Sequence, residues 1–459
     1  VSFFHAVIQE RRKFGPLGWN IRYDFSNSDL ECSLQTLRMF LDEGGAGSAI
    51  PWPALLYVTG QINYGGRVTD DNDRRTLLSI LGKYYVPDVL GDAYAFTPSG
   101  TYRAPPDGAH ASYMDAIRAF PLTEGPEVFG MHDNAHITFQ LQESRALVST
   151  VLSIQPRLTT GGAGKSPEEI VSDLAKEIAE GLPAELLRDN AVTGSKDPFA
   201  PIPSGHANSL GTVLGQEMDR FNTLVGRIRS SLSELQRALQ GLVVMSGDLE
   251  KMNTAMLNNQ VPALWAQVAY PSLKPLASWV RDFQERMRFM RGWLEEGEPS
   301  CFWMPGFFFP QGFLTGALQN HARKYQIAID TLNFGFKATD WLGEYAQAEV
   351  APPEDGIYVS GLFIDGGRWD HENKQMCEAA HGEMHTPLPV MHFTPVVNYV
   401  PPEDEYQCPL YKTSVRAGVL STTGQSTNYV LAMSIPIAPH TNPDFWVLQG
   451  VAALCALDD

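Results

Sequence analysis

The apolar spacing changes between residues 302 and 324, and any fold for this protein must accommodate that change. Upstream, Leu210, Val213, Leu214, Met218, Phe221, Leu224, Val225, Ile228, Leu232, Leu235 and Leu239 recur in steps of three and four. That period predicts one long amphipathic helix over 208–241, and the same signal predicts a second over 276–295. The opposite face of the long helix, with Glu217, Arg220, Arg227, Glu234 and Arg237, reads as solvated. Downstream, 332–336 alternates, and 357–364, 390–393, 429–437 and 446–457 are short apolar runs bounded by Pro, Gly, Asn and Asp. These predict five to seven strands in a barrel or sandwich. Between the two regimes, 302–313 holds six aromatics, two prolines and two glycines, then runs into a polar helical tail at 319–324. So much aromatic area, at ~25 cal/mol per Å² buried, suits a seam that clamps two parts of a molecule together. Trp303, Phe307, Phe308, Phe309 and Phe313 are the seam candidates, and the last four are expected to divide between a helical core and a barrel. An ordinary core segment is the plainer reading of the same composition.

The fold class that follows is α+β: an N-terminal helical bundle, then a helical region, then a C-terminal β-barrel-like domain, divided as 1–122, 123–326 and 327–459. In the first part, Phe3, Phe4, Val7 and Ile8 form an apolar stripe ending at Arg11-Arg12-Lys13. Ser28 is a candidate N-cap, 51–57 starts another helix, and Asp70 to Asp73 opens a fourth with its acids where the helix dipole favours them. The stretch 87–127, rich in Pro, Gly, Tyr and Asp, reads as connection. A helix over about 138–155 follows, and Ser166-Pro167-Glu168-Glu169 opens the next.

Composition excludes several roles. With 44% hydrophobic and 19% charged residues the protein is globular rather than disordered. No apolar run approaches the ~18 residues of a membrane span. A formal net charge of −18, with only small basic clusters at 11–13 and 286–291, argues against nucleic acid and anionic membranes as partners. The five cysteines are odd in number, widely spaced and never in a Cys-x-x-Cys pair, which is the usage of a reducing compartment. The sequence opens on Val1 with no signal-peptide pattern, as a cut within a longer polypeptide would.

Two motifs invite chemistry and then fail their own requirements. Gly161-Gly162-Ala163-Gly164-Lys165-Ser166 resembles a phosphate loop, but the position that needs the first glycine holds Thr159, and no buried strand precedes it. His381, Glu383 and His385, with His371 and Cys377 nearby, suggest a metal-dependent enzyme. The two histidines have metalloprotease spacing, yet Gly382 stands where the glutamate should directly follow the first. No Gly-x-Ser-x-Gly elbow or carboxylate pair stands out either. No catalytic, cofactor-binding or metal-binding residue is therefore assigned.

Longer motifs carry a resemblance. Residues 4–20, with Arg11-Arg12-Lys13-Phe14-Gly15-Pro16-Leu17-Gly18-Trp19-Asn20, resemble the lid of the sixth AAA+ module of dynein heavy chains. Tyr64-Gly65-Gly66-Arg67-Val68-Thr69-Asp70-Asp71 and Asp73-Arg74-Arg75 continue it. Val128-Phe129-Gly130-Met131-His132 with Asn134-Ala135 is similar to the opening of the dynein C-terminal domain. Tyr270-Pro271-Ser272-Leu273-Lys274-Pro275-Leu276, the aromatic stretch, Pro352-Pro353-Glu354-Asp355-Gly356, Tyr411-Lys412-Thr413 and Leu420-Ser421-Thr422-Thr423-Gly424 extend it. The Arg67 to Asp71 and Pro352 to Gly356 forms resemble axonemal rather than cytoplasmic dyneins. The resemblance implies a non-catalytic, structural and regulatory segment that braces the AAA+ ring of a minus-end-directed microtubule motor. It also implies ATP and Mg in absent modules, contact with microtubules only through an absent stalk, and a place in the axoneme of a cilium or flagellum. Implied partners are the preceding modules, dynein intermediate and light chains, and other heavy chains. A partner-binding role for the strand-rich part, for a light chain or another axonemal protein, is the alternative.

Overall fold

A computed structural model describes residues 1–44, 49–91, 93–154, 165–341, 350–418 and 426–458. The protein opens with α1 (Ser2–Glu10), α2 (Asn27–Gly44), α3 (Trp52–Tyr57) and α4 (Asp71–Gly82). Phe4, Leu55, Tyr64, Leu77 and Leu81 pack into a core of their own between these helices. α4 begins where the acids predict, because Asp70 caps it by accepting from the Asn72 and Asp73 amides. The stretch read as connection carries a further helix, α5 (His110–Arg118), whose side chains are all at least partly exposed. Lacking a buried face, it leaves no apolar period in the sequence.

The helical middle comprises α6 (Asn134–Ile154), α7 (Pro167–Glu180), α8 (Ser209–Leu239), α9 (Gly247–Leu257), α10 (Ala263–Ala266) and α11 (Leu276–Glu296). Ser166 and Glu169 form a reciprocal capping box ahead of Pro167, so α7 starts as its sequence requires. α8 buries the predicted stripe: Leu214, Phe221, Leu224, Val225, Ile228, Leu232 and Leu235 are 0–1% exposed. Trp265, Trp279 and Phe283 stack against one another beside it.

Strand β1 (Phe302–Trp303) begins the change of regime, followed by α12 (Pro310–Tyr325), which starts nine residues before the predicted helical tail. Next come β2 (Leu332–Ala338), β3 (Ile357–Ser360), β4 (Phe363–Asp365), β5 (Arg368–Asp370), β6 (Gln375–Cys377), β7 (His385–Pro387), β8 (Met391–Val397), β9 (Glu405–Tyr411) and β10 (Tyr429–Pro436). A short helix, α13 (Pro443–Gln449), and β11 (Ala452–Leu454) follow as the last elements. The strands form a four-stranded sheet, β1-β3-β8-β2, a five-stranded sheet, β10-β9-β11-β4-β7, and the β5-β6 hairpin.

Helices come first and sheets last, as the change of period requires, but the sheets do not close into a barrel. β1 and β2 end one sheet and β10 and β7 the other. The run 446–457 is also not one strand. Pro443 sits at the first helical position, Asn442 caps the Asp444 amide, and Gly450 in the left-handed region ends the helix. One continuous core joins the helical middle to the sheets, from Leu214 and Phe283 through Phe313 to Phe393, Met433 and Ala453. Among the described residues no helix is long and apolar enough to cross a membrane.

Candidate functional site

The N-terminal helices meet the C-terminal sheets at a junction built around Arg11, which follows α1 and is 0% exposed. Its planar fork donates to four backbone carbonyls: Nε to Gly18 (2.9 Å), Nη1 to Phe129 (2.6 Å), and Nη2 to Leu448 on α13 (2.6 Å) and, more loosely, to Leu17 (3.4 Å). Burial pulls its pKa down to about 9, so it stays cationic at neutral pH. A lysine could not span these acceptors, because its donors radiate from one atom. Leu17 lies against the turn after α13 so closely that a Cβ on Gly450, at φ +72°, would stand 2.2 Å from the Leu17 carbonyl oxygen.

Beside Arg11, Asn20 donates through Nδ2 to the Tyr411 hydroxyl on β9 (2.7 Å) and to Asp70 (3.1 Å). Asn72 donates to the same hydroxyl at 2.9 Å. The Asp73 carboxylate, 2% exposed, accepts from the Asn20 amide (2.8 Å) and the Ile21 amide (3.0 Å). Burial, with Asp70 adding to it, pushes the Asp73 pKa up to about 7. Arg75 donates to the Gln407 carbonyl (2.9 Å) and lies over the Tyr406 ring. Further in, Arg416 and Asp365 form a buried ion pair at 2.8 Å. The void among these groups is about 20 Å³, room for one water and not for a substrate. The chemistry of the junction is therefore adhesive: most of its polar groups bond to one another across two parts of the molecule, with Arg75 Nε and Arg416 Nε left over.

The aromatic stretch forms a second seam, between the helical middle and the sheets. Phe302 pairs in register with Val359 while its ring packs on Trp293 of α11 and on Phe313. Phe307 stacks on Phe313 at 4.2 Å and meets Phe289 and Trp293 edge-on. Phe308 lies against Phe221 and Tyr270, on the helical side. Trp303 meets Phe289 edge-on and covers Gly361, just past β3. Phe309 differs: it is 43% exposed, flanked by Arg220 and Lys412 at 5.5 Å each. Its backbone starts α12, and that geometry turns the ring outward.

Glu217 corrects the reading of α8's polar face. It is 1% exposed, and its carboxylate accepts from the Phe308 amide (2.6 Å), the Phe309 amide (3.2 Å) and Arg220 Nη1 (2.7 Å). The two amides precede α12 and have no ladder partner, so a carboxylate from a neighbouring helix supplies their acceptor. Burial raises the Glu217 pKa, and the two amides and Arg220 oppose that rise.

Residues 161–164 of the phosphate-loop resemblance lie outside the described residues. Lys165 pairs with Asp173 on α7, and Ser166 is occupied as a cap. His381 is exposed, and His385 lies 3.7 Å from Asp365 rather than facing Glu383. Asn134 grips their turn, donating to the Ala380 and Glu383 carbonyls at 2.8 and 3.0 Å and accepting from the Gly382 amide at 2.9 Å. Among the described residues no three His, Cys, Asp or Glu side chains stand where they could hold a metal.

Comparison with known proteins places the N-terminal helices with a AAA lid domain and the rest of the molecule with a dynein C-terminal domain. The profile of the AAA lid domain of the dynein heavy chain matches residues 1–135, and that of the C-terminal domain of the dynein heavy chain matches residues 141–455. The protein belongs to the family defined by that C-terminal domain of dynein heavy chains. Over its full length it is 47% identical to human dynein axonemal heavy chain 6, 46% to human dynein axonemal heavy chain 3 and 46% to rat dynein axonemal heavy chain 1. It spans 11%, 11% and 10% of the length of those relatives.

Sequence reasoning missed Arg11, Asp73 and Tyr411 as junction residues and Glu217 as a seam residue. Arg11 and Leu448 are 437 positions apart, so no local window holds both partners. The usable signal was weaker: arginine and glutamate each standing beside apolar residues at core spacing.

Proposed function

We propose that this protein is the non-catalytic C-terminal end of an axonemal dynein heavy chain. In this reading it braces the AAA+ ring of an ATP-driven, minus-end-directed microtubule motor and modulates its motility in the cilium or flagellum. The Arg11 junction is the observation that carries the reading, since a buried guanidinium that holds the distant Phe129 and Leu448 carbonyls as well as its own turn ties lid and C-terminal domain into one stiff piece. A stiff piece shifts the ring's equilibrium only through contacts that differ between ring states, so its influence is a coupling energy rather than a chemical step. ATP and Mg belong to other modules, and microtubules are reached through other segments. Partners are the preceding modules of the same heavy chain, and intermediate chains, light chains and other heavy chains of the arm.

ATP turnover by the 459-residue protein, alone and with microtubules, tests the absence of chemistry. The expected result is no turnover above buffer. Turnover abolished by Lys165→Ala contradicts the reading. In a whole motor, Arg11→Met is expected to change microtubule gliding velocity while ATP binding at the other modules persists. Unaltered gliding removes the bracing role.

A further inference from the structure

A groove of about 560 Å³ runs between α4 and α13, on the outer side of the Arg11 junction. Leu78, Phe445 and Leu448 supply its apolar wall, and Arg75 and Lys83 its positive charge. Gly82 leaves its mouth open, with nothing within 4 Å of where a Cβ would stand. Phe445 is 36% exposed, an aromatic face turned to solvent. The Lys83 ammonium lies 3.0 Å from the Cβ position at Gly130 and takes part in none of the ion pairs or side-chain hydrogen bonds among the described residues. The charged groups felt at Lys83 are Arg11 and Glu127, and the Glu127 carboxylate is engaged by the Ser99 amide at 2.6 Å. Asp444, the acid on the rim, accepts from Ser79 Oγ at 3.0 Å. The Arg75 Nε is a buried donor without a partner. An unpaired cation beside an apolar wall is incomplete as it stands, because desolvation without a partner costs free energy.

We propose that this groove docks an acidic, apolar segment of a separate polypeptide. One carboxylate of the segment meets Lys83, and an adjacent aliphatic or aromatic side chain lies on Phe445 and Leu448. Charge selects this occupant: the groove presents cations, whereas the molecule as a whole carries −18, so a second copy is repelled while a short acidic segment is drawn to this one face. Burial and Arg11 hold the Lys83 pKa below the usual lysine range, a deficit that an arriving carboxylate relieves. The volume accommodates two or three side chains rather than a whole helix.

The probe is 3-phenylpropionate, a carboxylate joined to a phenyl ring by two methylenes, set against its neutral amide. Saturation-transfer NMR on the whole 459-residue protein reads binding of each. The acid is expected to bind about tenfold more tightly than the amide, the effect of one charge-assisted hydrogen bond. Lys83→Met should erase the preference. Gly82→Trp, which fills the open mouth and keeps the Lys83 charge, should erase binding. No transfer to the acid, equal transfer to acid and amide, or transfer that survives Gly82→Trp overturns the proposal. A doubling of mass in sedimentation that Gly82→Trp abolishes makes a second copy the occupant and overturns it equally.

Discussion

Glu217 offers the sharpest single perturbation. Its carboxylate is the acceptor for two consecutive backbone amides, at 2.6 and 3.2 Å, where the aromatic stretch turns into α12. Glu217→Ala leaves both amides without an acceptor in a site that is 1% exposed. Each stranded donor costs roughly 1–3 kcal/mol, and removing a buried charge returns part of that. The net expectation is a loss of roughly 2–4 kcal/mol, which is large against the ~5–15 kcal/mol of a typical domain. Glu217→Gln retains one acceptor oxygen and should cost about half as much. Arg220, itself 40% exposed, contributes little, because an ion pair open to water is screened.

Urea unfolding followed by tryptophan fluorescence measures the difference, since Trp279, Trp293 and Trp303 surround the seam. Glu234→Ala is the internal control: it shares the helix but is exposed, and should change stability by less than about 0.5 kcal/mol. If the two alanine variants unfold at the same urea concentration, the carboxylate does not hold the seam.

The two phenylalanines at 309 and 313 should separate cleanly. Phe313→Ala, at a fully buried site, is expected to cost roughly 3–5 kcal/mol, and Phe309→Ala, at 43% exposure, less than about 1, in the same urea assay. Asp73 should impose a characteristic pH dependence on stability. Its folded pKa, about 7, lies above the ordinary 3.8, so the native state holds a proton that the unfolded state releases. The contribution is therefore fully present below about 4 and is lost as pH rises toward 7. Melting temperatures across that window should show the decline in the parent and a flatter profile in Asp73→Asn. Gly450→Ala forces a Cβ to 2.2 Å from the Leu17 carbonyl at a positive φ, and thermal melting should register a loss of more than about 2 kcal/mol.

Much of the fold was legible because apolar periodicity is a local signal. The stripe of α8 survives intact in the structure, and the change of regime after 302–324 marks where the sheets begin. What escaped has physical reasons. β9 carries Pro409 inside a run of mixed polarity, and its pairing partners, β10 and β11, include a strand only three residues long. α13 was hidden because its stop, Gly450, lies inside the apolar run 446–457 that reads as one strand, while its cap, Asn442, stands ahead of that run. Barrel closure depends on which edges meet, and neither period nor propensity reports that. The junction was the least legible feature. Arg11, Asn20 and Asp73 acquire meaning only from Phe129, Tyr411 and Leu448, which the fold brings back after hundreds of residues. Family resemblance identified the segments but not the atoms that join them.

The central claim is that lid and C-terminal domain form one mechanical piece through Arg11. Scanning calorimetry of the whole 459-residue protein tests it most directly. The expected result is a single cooperative transition in the parent, and in Arg11→Met a separate, earlier transition from the N-terminal helices. Two transitions in the parent, with the lower one unmoved by Arg11→Met, would show that the lid melts on its own and that the junction does not bind it.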